Sequence, residues 1–211
     1  MADIRIFTSR SCGWAVRNYA SLLEKSIKFD TVPAVDGNGI KTSEFLATTP
    51  FRMTPVLVHG ETCVFESTLI NEYINDKFPD PPLLPADPAG RIEVRKWIHF
   101  AESRLLSTLA KVTRSANSQA QRSAIDEFNA DISWFDTNVL RDDWRGPYLF
   151  GDLFSLADIA FFTVFETVRQ MEDTLGTTIA EFQPSVEVWQ YNIADRPSIQ
   201  QAVQIQERIS F

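Results

Sequence analysis

A proline-dense segment divides the sequence into two parts with different patterns, and this division constrains the fold more than any other feature. Residues 78–90, FPDPPLLPADPAG, contain five prolines, and proline lacks the backbone N–H that helices and sheets require. Before this segment strand and helix patterns alternate, whereas after it the patterns are helical almost to the end. We therefore predict one domain over residues 1–80, a proline-rich linker over 81–90 and a second domain over 91–211.

The first part predicts a small mixed sheet with helices. Its segments are, in order, a strand IRIF at 4–7, a helix over 13–26, a strand KFDTVPA at 28–34, a short helix around 41–47, a hairpin PVLVHGETCVF at 55–65 and a helix over 67–78. A strand–helix–strand unit implies a right-handed parallel crossover, and the hairpin adds antiparallel strands. The predicted order is β-α-β-α-β-β-α with four strands.

The second part predicts only helices. Asp87 and Pro88 form a helix start, with aspartate as the N-cap and proline at the first helical position. Ser155 and Asp158 have the spacing of a capping box, and the segment that follows, LADIAFFTVFETV, is apolar on most sides. We expect this segment to be the central buried helix. One amphipathic helix carries an apolar stripe at intervals of three and four: Ile125, Phe128, Ile132, Phe135 and Val139.

The charge of the chain argues against a nucleic-acid partner. The formal net charge is −8, from 28 acidic and 20 basic residues, and only Arg91, Arg95 and Lys96 form a small basic cluster. A nucleic-acid-binding protein needs a basic face to neutralise phosphates, so we expect none to bind here.

The remaining composition predicts a soluble, cytoplasmic protein without a metal site. No apolar run is long enough to span a membrane, and the first residues, MADIRIF, do not resemble a signal peptide. Cys12 and Cys63 are too few for a disulfide framework, which favours a reducing compartment. The two histidines, His59 and His99, lie far apart and have no ligand spacing around them, so we predict no metal site.

Three features of the first part point to a site for a cysteine-containing peptide. Cys12 follows the first strand at a predicted helix start, where backbone N–H groups and the helix dipole lower the pKa of a thiol. Pro55 opens a strand that should be central, which suggests a cis Thr54–Pro55 bond and a Thr54 backbone free to pair with an extended ligand. Glu66 and Ser67 begin a helix, where a carboxylate and an ammonium can both be held.

With these features the sequence resembles the cytosolic glutathione transferases over nearly its whole length. The specific stretches are MTPVLVHGETCVFESTLINEYI and LFGDLFSLADIAFF. The resemblance implies a thioredoxin-like domain followed by an all-helical domain, with glutathione as co-substrate and a homodimeric assembly. It also implies glutathione-binding roles for five residues: Lys41, Thr54, Pro55, Glu66 and Ser67.

The chemistry depends on which residue faces the glutathione sulfur. SCGWAVR resembles the Cys-Pro-aromatic-Ala-x-Arg motif of the omega, lambda and dehydroascorbate-reductase classes, with Gly13 in place of proline. This favours Cys12 as a nucleophile in thiol transfer and reductive deglutathionylation, with dehydroascorbate reduction as a side activity. RSCGWAVR also resembles the zeta-class motif, in which Ser11 would assist an isomerase or conjugating transferase. A third alternative is a non-catalytic binding or regulatory protein of the same fold.

A second substrate, hydrophobic or glutathionylated, would bind in a pocket between the two halves. Four residues are candidates for lining it: Trp14, Trp97, Phe100 and Arg104. For each of them a role in the core or at the interface is an equally good hypothesis. Arg17 is expected to have a structural role.

Overall fold

The computed structural model describes residues 3–140 and 144–210, which form two compact units. The first unit contains the chain through Leu83 together with the chain from Arg196 onward. The second unit runs from Leu84 to Asp195. The division between them at residues 83 and 84 falls inside the proline-rich segment, where the lack of backbone donors interrupts regular structure.

A four-stranded mixed sheet forms the centre of the first unit, as predicted. Its strands are β1 (Ile4–Thr8), β2 (Phe29–Pro33), β3 (Val56–His59) and β4 (Thr62–Phe65). Their spatial order is β2-β1-β3-β4, with β1 parallel to β2 and antiparallel to β3, and β3 antiparallel to β4. The strand β1 lies inside the sheet, between β2 and β3, and four of its five residues are buried.

The helices follow the predicted order in both units. In chain order they are α1 (Ala15–Glu24), α2 (Ser43–Leu46), α3 (Ser67–Lys77), α4 (Pro88–Phe100), α5 (Ser107–Arg114), α6 (Ser118–Phe135), α7 (Leu156–Leu175), α8 (Pro184–Ala194) and α9 (Pro197–Glu207). Two π-helical segments, Ala101–Leu106 and Asp136–Leu140, follow α4 and α6. Among the described residues, no helix is long and apolar enough to cross a membrane.

Strand register brings three chain segments to one edge of the sheet. Phe7, near the end of β1, pairs with Val56 at the start of β3, and Val56 pairs with Phe65 at the end of β4. The loop after β1, the loop before β3 and the start of α3 therefore meet at this edge. These are the segments in which the sequence places most of its candidate glutathione-site residues.

The helix α9 belongs to the first unit and packs against α1. Arg196 donates two hydrogen bonds to the Glu24 carboxylate, at 2.7 and 2.6 Å, and the Ser198 hydroxyl donates to the same group. Gln206 Nε2 donates to the carbonyl oxygens of Ser9 and Arg10, at 3.1 and 3.0 Å. The sequence division grouped this helix with the all-helical part, because an amphipathic pattern does not specify which surface covers its apolar face.

The second unit is a helical core rich in aromatic rings. Four of its aromatic side chains have no measurable exposure: Phe128, Phe135, Phe161 and Trp189. The rings of Phe135 and Phe161 lie 4.8 Å apart between centroids, as do those of Phe161 and Trp189. The predicted central helix is α7, and it is buried along most of its first four turns.

The predicted helix starts are present with their capping hydrogen bonds. Asp87 accepts a hydrogen bond from the backbone N–H of Gly90 at 2.8 Å, and Pro88 occupies the first helical position of α4. Ser155 and Asp158 form the capping box of α7. The Asp158 carboxylate is fully buried and also accepts hydrogen bonds from the Leu149 N–H at 2.9 Å and the Trp189 indole at 2.8 Å. One buried carboxylate therefore joins α7, α8 and the preceding turn.

Candidate functional site

The loop after β1 presents Ser11 to solvent and buries Cys12. The Cys12 N–H donates to the Ser9 carbonyl at 2.9 Å, and the Cys12 carbonyl accepts from the Ala15 N–H at 3.2 Å. Only 4% of Cys12 is exposed, whereas Ser11 is classed as exposed. The predicted helix began at residue 13, but α1 begins at Ala15 after a tight turn. Cys12 therefore lies just before the helix and not at its first position.

Burial and hydrogen bonding have opposite effects on the Cys12 thiol. Burial raises its pKa above the ordinary value of 9.0 because the thiolate is poorly solvated there. The polar groups of Thr54, Ala15, Thr8 and Trp14 act in the opposite direction and lower the pKa of the thiol. The net shift is upward. We expected the helix start to lower the pKa, and the difference arises because desolvation exceeds the stabilisation by these polar groups.

Thr54 and Pro55 lie beside Cys12 at the start of β3. The Thr54–Pro55 peptide bond is cis, as expected from the position of the proline. Pro55 is buried and Thr54 is half-buried. Because Phe7 pairs with Val56, the loop that carries Cys12 and the Thr54–Pro55 pair lie at the same edge of the sheet, and the Thr54 side chain lowers the pKa of Cys12.

Glu66 and Ser67 form the start of α3 at the same edge. Glu66 is exposed and has a left-handed backbone conformation, with φ 69° and ψ 115°. Such a conformation costs on the order of 1–3 kcal/mol in a residue other than glycine and is concentrated at ligand and active sites. Ser67 is buried at the first position of the helix, where the N–H groups of the first turn have no intrahelical acceptors.

Lys41 belongs to the segment that precedes α2. Its ammonium donates to the Arg52 carbonyl at 2.8 Å, and the side chain is exposed. Arg52 has a positive φ of 55° and lies two residues before Thr54. The hydrogen bond therefore places a positive charge beside the loop that leads to β3.

The four candidate co-substrate residues fall in two different units. Trp14 lies in the first unit, 42% exposed, with the Arg17 guanidinium 4.6 Å from the centroid of its ring. Trp97 and Phe100 belong to the aromatic core of the second unit, and their rings lie 5.2 and 5.7 Å from that of Phe135. Arg104 is exposed and forms a bidentate ion pair with an aspartate of α6, Asp131, with N–O distances of 2.7 and 2.9 Å.

Three residues at the site were not identified from the sequence. The sequence pattern gives no functional role to any of them. It places Thr8 at the end of a strand, Asn18 among the polar residues of a helix, and Gln206 in a helix far along the chain. In the structure Thr8 and Asn18 are fully buried, and Gln206 binds the loop before Cys12. The available signal was polarity at positions where the periodicity of β1 and α1 predicts burial.

The described residues contain no cluster of histidine, cysteine, aspartate or glutamate that could hold a metal ion. The groups that meet at this edge of the sheet are instead a thiol, hydroxyls, a carboxylate, an ammonium and backbone amides. This donor set suits a small zwitterionic thiol ligand.

Family models match both parts of the chain. The N-terminal domain of glutathione S-transferase matches residues 2–76, and its C-terminal domain matches residues 103–204. The chain belongs to the glutathione S-transferase family. Within that family glutathione is the co-substrate, which agrees with the donor set at the sheet edge.

One curated relative and two solved structures illustrate the similarity individually. Glutathione S-transferase 3 from Zea mays is 30% identical over 96% of this chain and 94% of its own length. The fold is similar to that of a Tau class glutathione S-transferase from mango, Mangifera indica, with a TM-score of 0.84 and 20% identity over 97% and 95% of the two chains. It is also similar to glutathione transferase Omega 3C from Trametes versicolor, with a TM-score of 0.83 and 23% identity over 96% and 89%.

Proposed function

We propose that this glutathione S-transferase is a cysteine-type, omega-like or lambda-like enzyme that catalyses glutathione-dependent thiol transfer through Cys12. The observation that supports this most directly is the position of Cys12 in the turn between β1 and α1, at the sheet edge where the cis Thr54–Pro55 bond and the start of α3 also lie. The polar groups of Thr54 and of the turn around Cys12 favour its thiolate, which is the form that attacks a disulfide.

The proposed cycle is a pair of thiol–disulfide exchanges. The Cys12 thiolate attacks the glutathione sulfur of a glutathionylated substrate, the substrate disulfide breaks, and the released substrate thiolate takes up a proton. Cys12 is then joined to glutathione by a disulfide. The thiolate of a second glutathione attacks this disulfide and releases glutathione disulfide and the Cys12 thiolate. A second protein thiol is not needed, and Cys63 lies in the edge strand β4. Reduction of dehydroascorbate by two glutathiones is a proposed side activity.

Glutathione would be held by the residues at the sheet edge. In this proposal Glu66 binds the ammonium of the γ-glutamyl group, and Ser67 with the first turn of α3 binds its carboxylate. The backbone of Thr54, next to Pro55, pairs with the cysteinyl residue, and Lys41 binds the glycyl carboxylate. The exposed carboxylate of Glu66 and the exposed ammonium of Lys41 support these assignments.

Intact-mass measurement after incubation with glutathione disulfide tests the cysteine mechanism. We expect one reducible glutathionyl adduct on Cys63→Ser and none on the double variant Cys12→Ser/Cys63→Ser. The Cys63→Ser background is used because the exposed thiol of Cys63 can itself take up glutathione. A Cys63→Ser protein that binds glutathione without forming an adduct would contradict the proposal.

A second candidate function is conjugation or isomerisation assisted by Ser11. A different observation favours it: Ser11 is exposed beside the site, whereas Cys12 is almost completely buried and its pKa is raised. Conjugation of glutathione to an aryl halide and isomerisation of a maleyl compound should then be lost in Ser11→Ala and retained in Cys12→Ala. The reverse pattern, with thiol transfer lost only in Cys12→Ala, supports the first candidate.

The remaining assignments are also proposals. Contact with a hydrophobic second substrate stays a proposal for each of four residues taken singly: Trp14, Trp97, Phe100 and Arg104. We propose a homodimer in the cytoplasm, where a reducing environment keeps the two free thiols reduced. Retention on glutathione-agarose distinguishes all of these functions from a non-catalytic member of the family that has lost glutathione binding.

A further inference from the structure

A fully buried asparagine lies in the middle of α1. Asn18 has no measurable exposure, although an amide side chain is expensive to bury without hydrogen bonds. Its nitrogen, Nδ2, donates to the Ser67 carbonyl at 2.8 Å and to Asn71 Oδ1 at 2.7 Å. Its oxygen, Oδ1, has no hydrogen-bond partner within the described parts of the chain. The two hydrogen bonds that its nitrogen donates to α3 are therefore the polar contacts that compensate for burying this side chain.

Both of these bonds hold the beginning of α3. Ser67 is the first residue of that helix, and Asn71 lies one turn further along the same face. The Arg17 guanidinium, next along α1, lies 3.5 Å from the Thr68 hydroxyl in the same turn. Two consecutive residues of α1 thus bind the first turn of α3 directly after the left-handed Glu66.

The same helix begins next to the cysteine. The turn from Cys12 leads directly into α1, and the Ala15 N–H at the start of that helix donates to the Cys12 carbonyl at 3.2 Å. A helix is a rigid element, so α1 fixes the separation between the sulfur and the start of α3. A ligand that contacts both sites at once benefits from this fixed separation because less ordering is needed when it binds.

We propose that Asn18 is a positioning residue for glutathione, which fixes the first turn of α3 relative to Cys12 so that the γ-glutamyl group and the thiol are bound together. The inference rests on the proposed glutathione site. The interaction that depends on Asn18 is the one with the γ-glutamyl group, because Asn18 binds the peptide group of Ser67 and does not contact Cys12.

Calorimetric titration with two ligands tests this role. Glutathione carries the γ-glutamyl group, whereas cysteinylglycine lacks it and retains the thiol. In Asn18→Leu we expect the Kd for glutathione to rise about tenfold, which corresponds to the loss of about one hydrogen bond's contribution, and the Kd for cysteinylglycine to stay within about twofold. A purely structural role would weaken both ligands alike. If the leucine variant does not fold, Asn18→Ala replaces it.

Two buried polar residues provide matched controls. Asn71→Leu removes one partner of Asn18 but leaves the bond to the Ser67 carbonyl, so we expect a smaller rise in the Kd for glutathione. Ser21→Ala, one turn along α1, removes a buried hydroxyl that has no partner in the described structure and should leave both Kd values unchanged. Equal loss of both ligands in the Asn18 variants, or no loss of either, would overturn the role of Asn18.

A separate result would identify failure of the proposed site itself. If the wild-type protein binds cysteinylglycine as tightly as glutathione, or if Ser67→Ala leaves the Kd for glutathione unchanged, the γ-glutamyl site is not at the start of α3. The role of Asn18 would then be overturned together with the site. The other outcome is that the wild-type protein prefers glutathione and Ser67→Ala weakens glutathione binding, but the Asn18 variants show no selective loss. In that case the γ-glutamyl site stands and the positioning role of Asn18 is wrong.

Discussion

Two opposing influences act on the thiol of Cys12, and their balance determines when it can react. Burial disfavours the thiolate, whereas the hydroxyls of Thr54 and Thr8 and two backbone N–H groups favour it. The raised pKa means that the resting thiol carries its proton at neutral pH. A nucleophilic thiolate would form only as the pH rises or when a base removes the proton.

The pH dependence of alkylation should report this balance directly. In a Cys63→Ser background, the rate of reaction of Cys12 with iodoacetamide should rise through the alkaline range with a midpoint above the ordinary value of 9.0. The midpoint lies above the ordinary value because the folded protein favours the protonated thiol. Stability from the neutral thiol is present below the unfolded pKa and is lost as the pH rises through the folded pKa.

Removing the Thr54 hydroxyl should shift the midpoint of the alkylation rate in a known direction. Thr54→Val keeps the shape of the side chain but removes the hydroxyl that lowers the pKa of Cys12, so its midpoint should lie higher than that of the parent. A parent midpoint below that of a free cysteine peptide would contradict the dominance of burial. A downward shift in Thr54→Val would contradict the assigned hydrogen bond.

At the scale of single elements, the start of α7 depends on one buried carboxylate. Asp158 accepts hydrogen bonds from Ser155, Leu149 and Trp189, and it is fully buried. Asp158→Ala leaves several buried donors unsatisfied, so we expect the free energy of unfolding to fall by about 3–5 kcal/mol. Urea denaturation measures the loss.

The matched control is an exposed aspartate in the turn before the same helix. Asp152→Ala changes the same charge close to the same helix, and it should change the free energy of unfolding by less than about 0.5 kcal/mol. A loss in Asp158→Ala no larger than that in Asp152→Ala would show that the carboxylate does not hold the three elements together.

The elements that the sequence predicts well are those determined by neighbours along the chain. The hairpin around His59 and Gly60, the N-cap at Asp87 and the capping box at Ser155 depend on local hydrogen bonds and backbone preferences. The burial of Cys12 and Asn18 and the partner of α9 depend on contacts between distant segments. Periodicity gives the buried face of a helix, but it does not say what covers that face or which polar groups it meets.

The candidate site likewise has features that the sequence predicts and features that depend on contacts between distant segments. The cis proline, the thiol and the start of α3 lie on segments whose order along the chain, combined with strand pairing, places them at one edge. The net pKa shift of Cys12 could not be predicted, because it depends on how deeply the sulfur is buried by residues of other elements. The π-helical segments after α4 and α6 have no local signal that distinguishes them from α-helix.

At the scale of the whole molecule, the chain leaves the sheet-containing unit at Leu83 and returns to it at Arg196. We therefore expect a fragment of residues 1–83 to fold poorly by itself, because the face of α1 that α9 covers and the Glu24 carboxylate that Arg196 binds would lack their partners. Joining residues 196–211 to this fragment through a flexible Gly/Ser linker should restore cooperative thermal unfolding, followed by circular dichroism.

A Glu24→Gln variant of the joined fragment provides the control. It weakens the ion pair with Arg196 while keeping α9 present, so its midpoint of thermal unfolding should lie between those of the two fragments. Equal stability of the fragment with and without α9 would mean that the last helix adds nothing to the folding of the sheet.

The return of α9 also sets an order of events during protein synthesis. About 120 residues separate Leu83 from the end of α9, and a ribosome adding about 5–20 residues per second needs roughly 6–25 s to make them. Throughout that interval the nascent sheet lacks its last helix, and the loop that Gln206 will bind has no partner from α9. The thiol of Cys12 therefore emerges early and gains its finished surroundings late, so during this interval its segment lacks the contacts from α9 that the finished protein has.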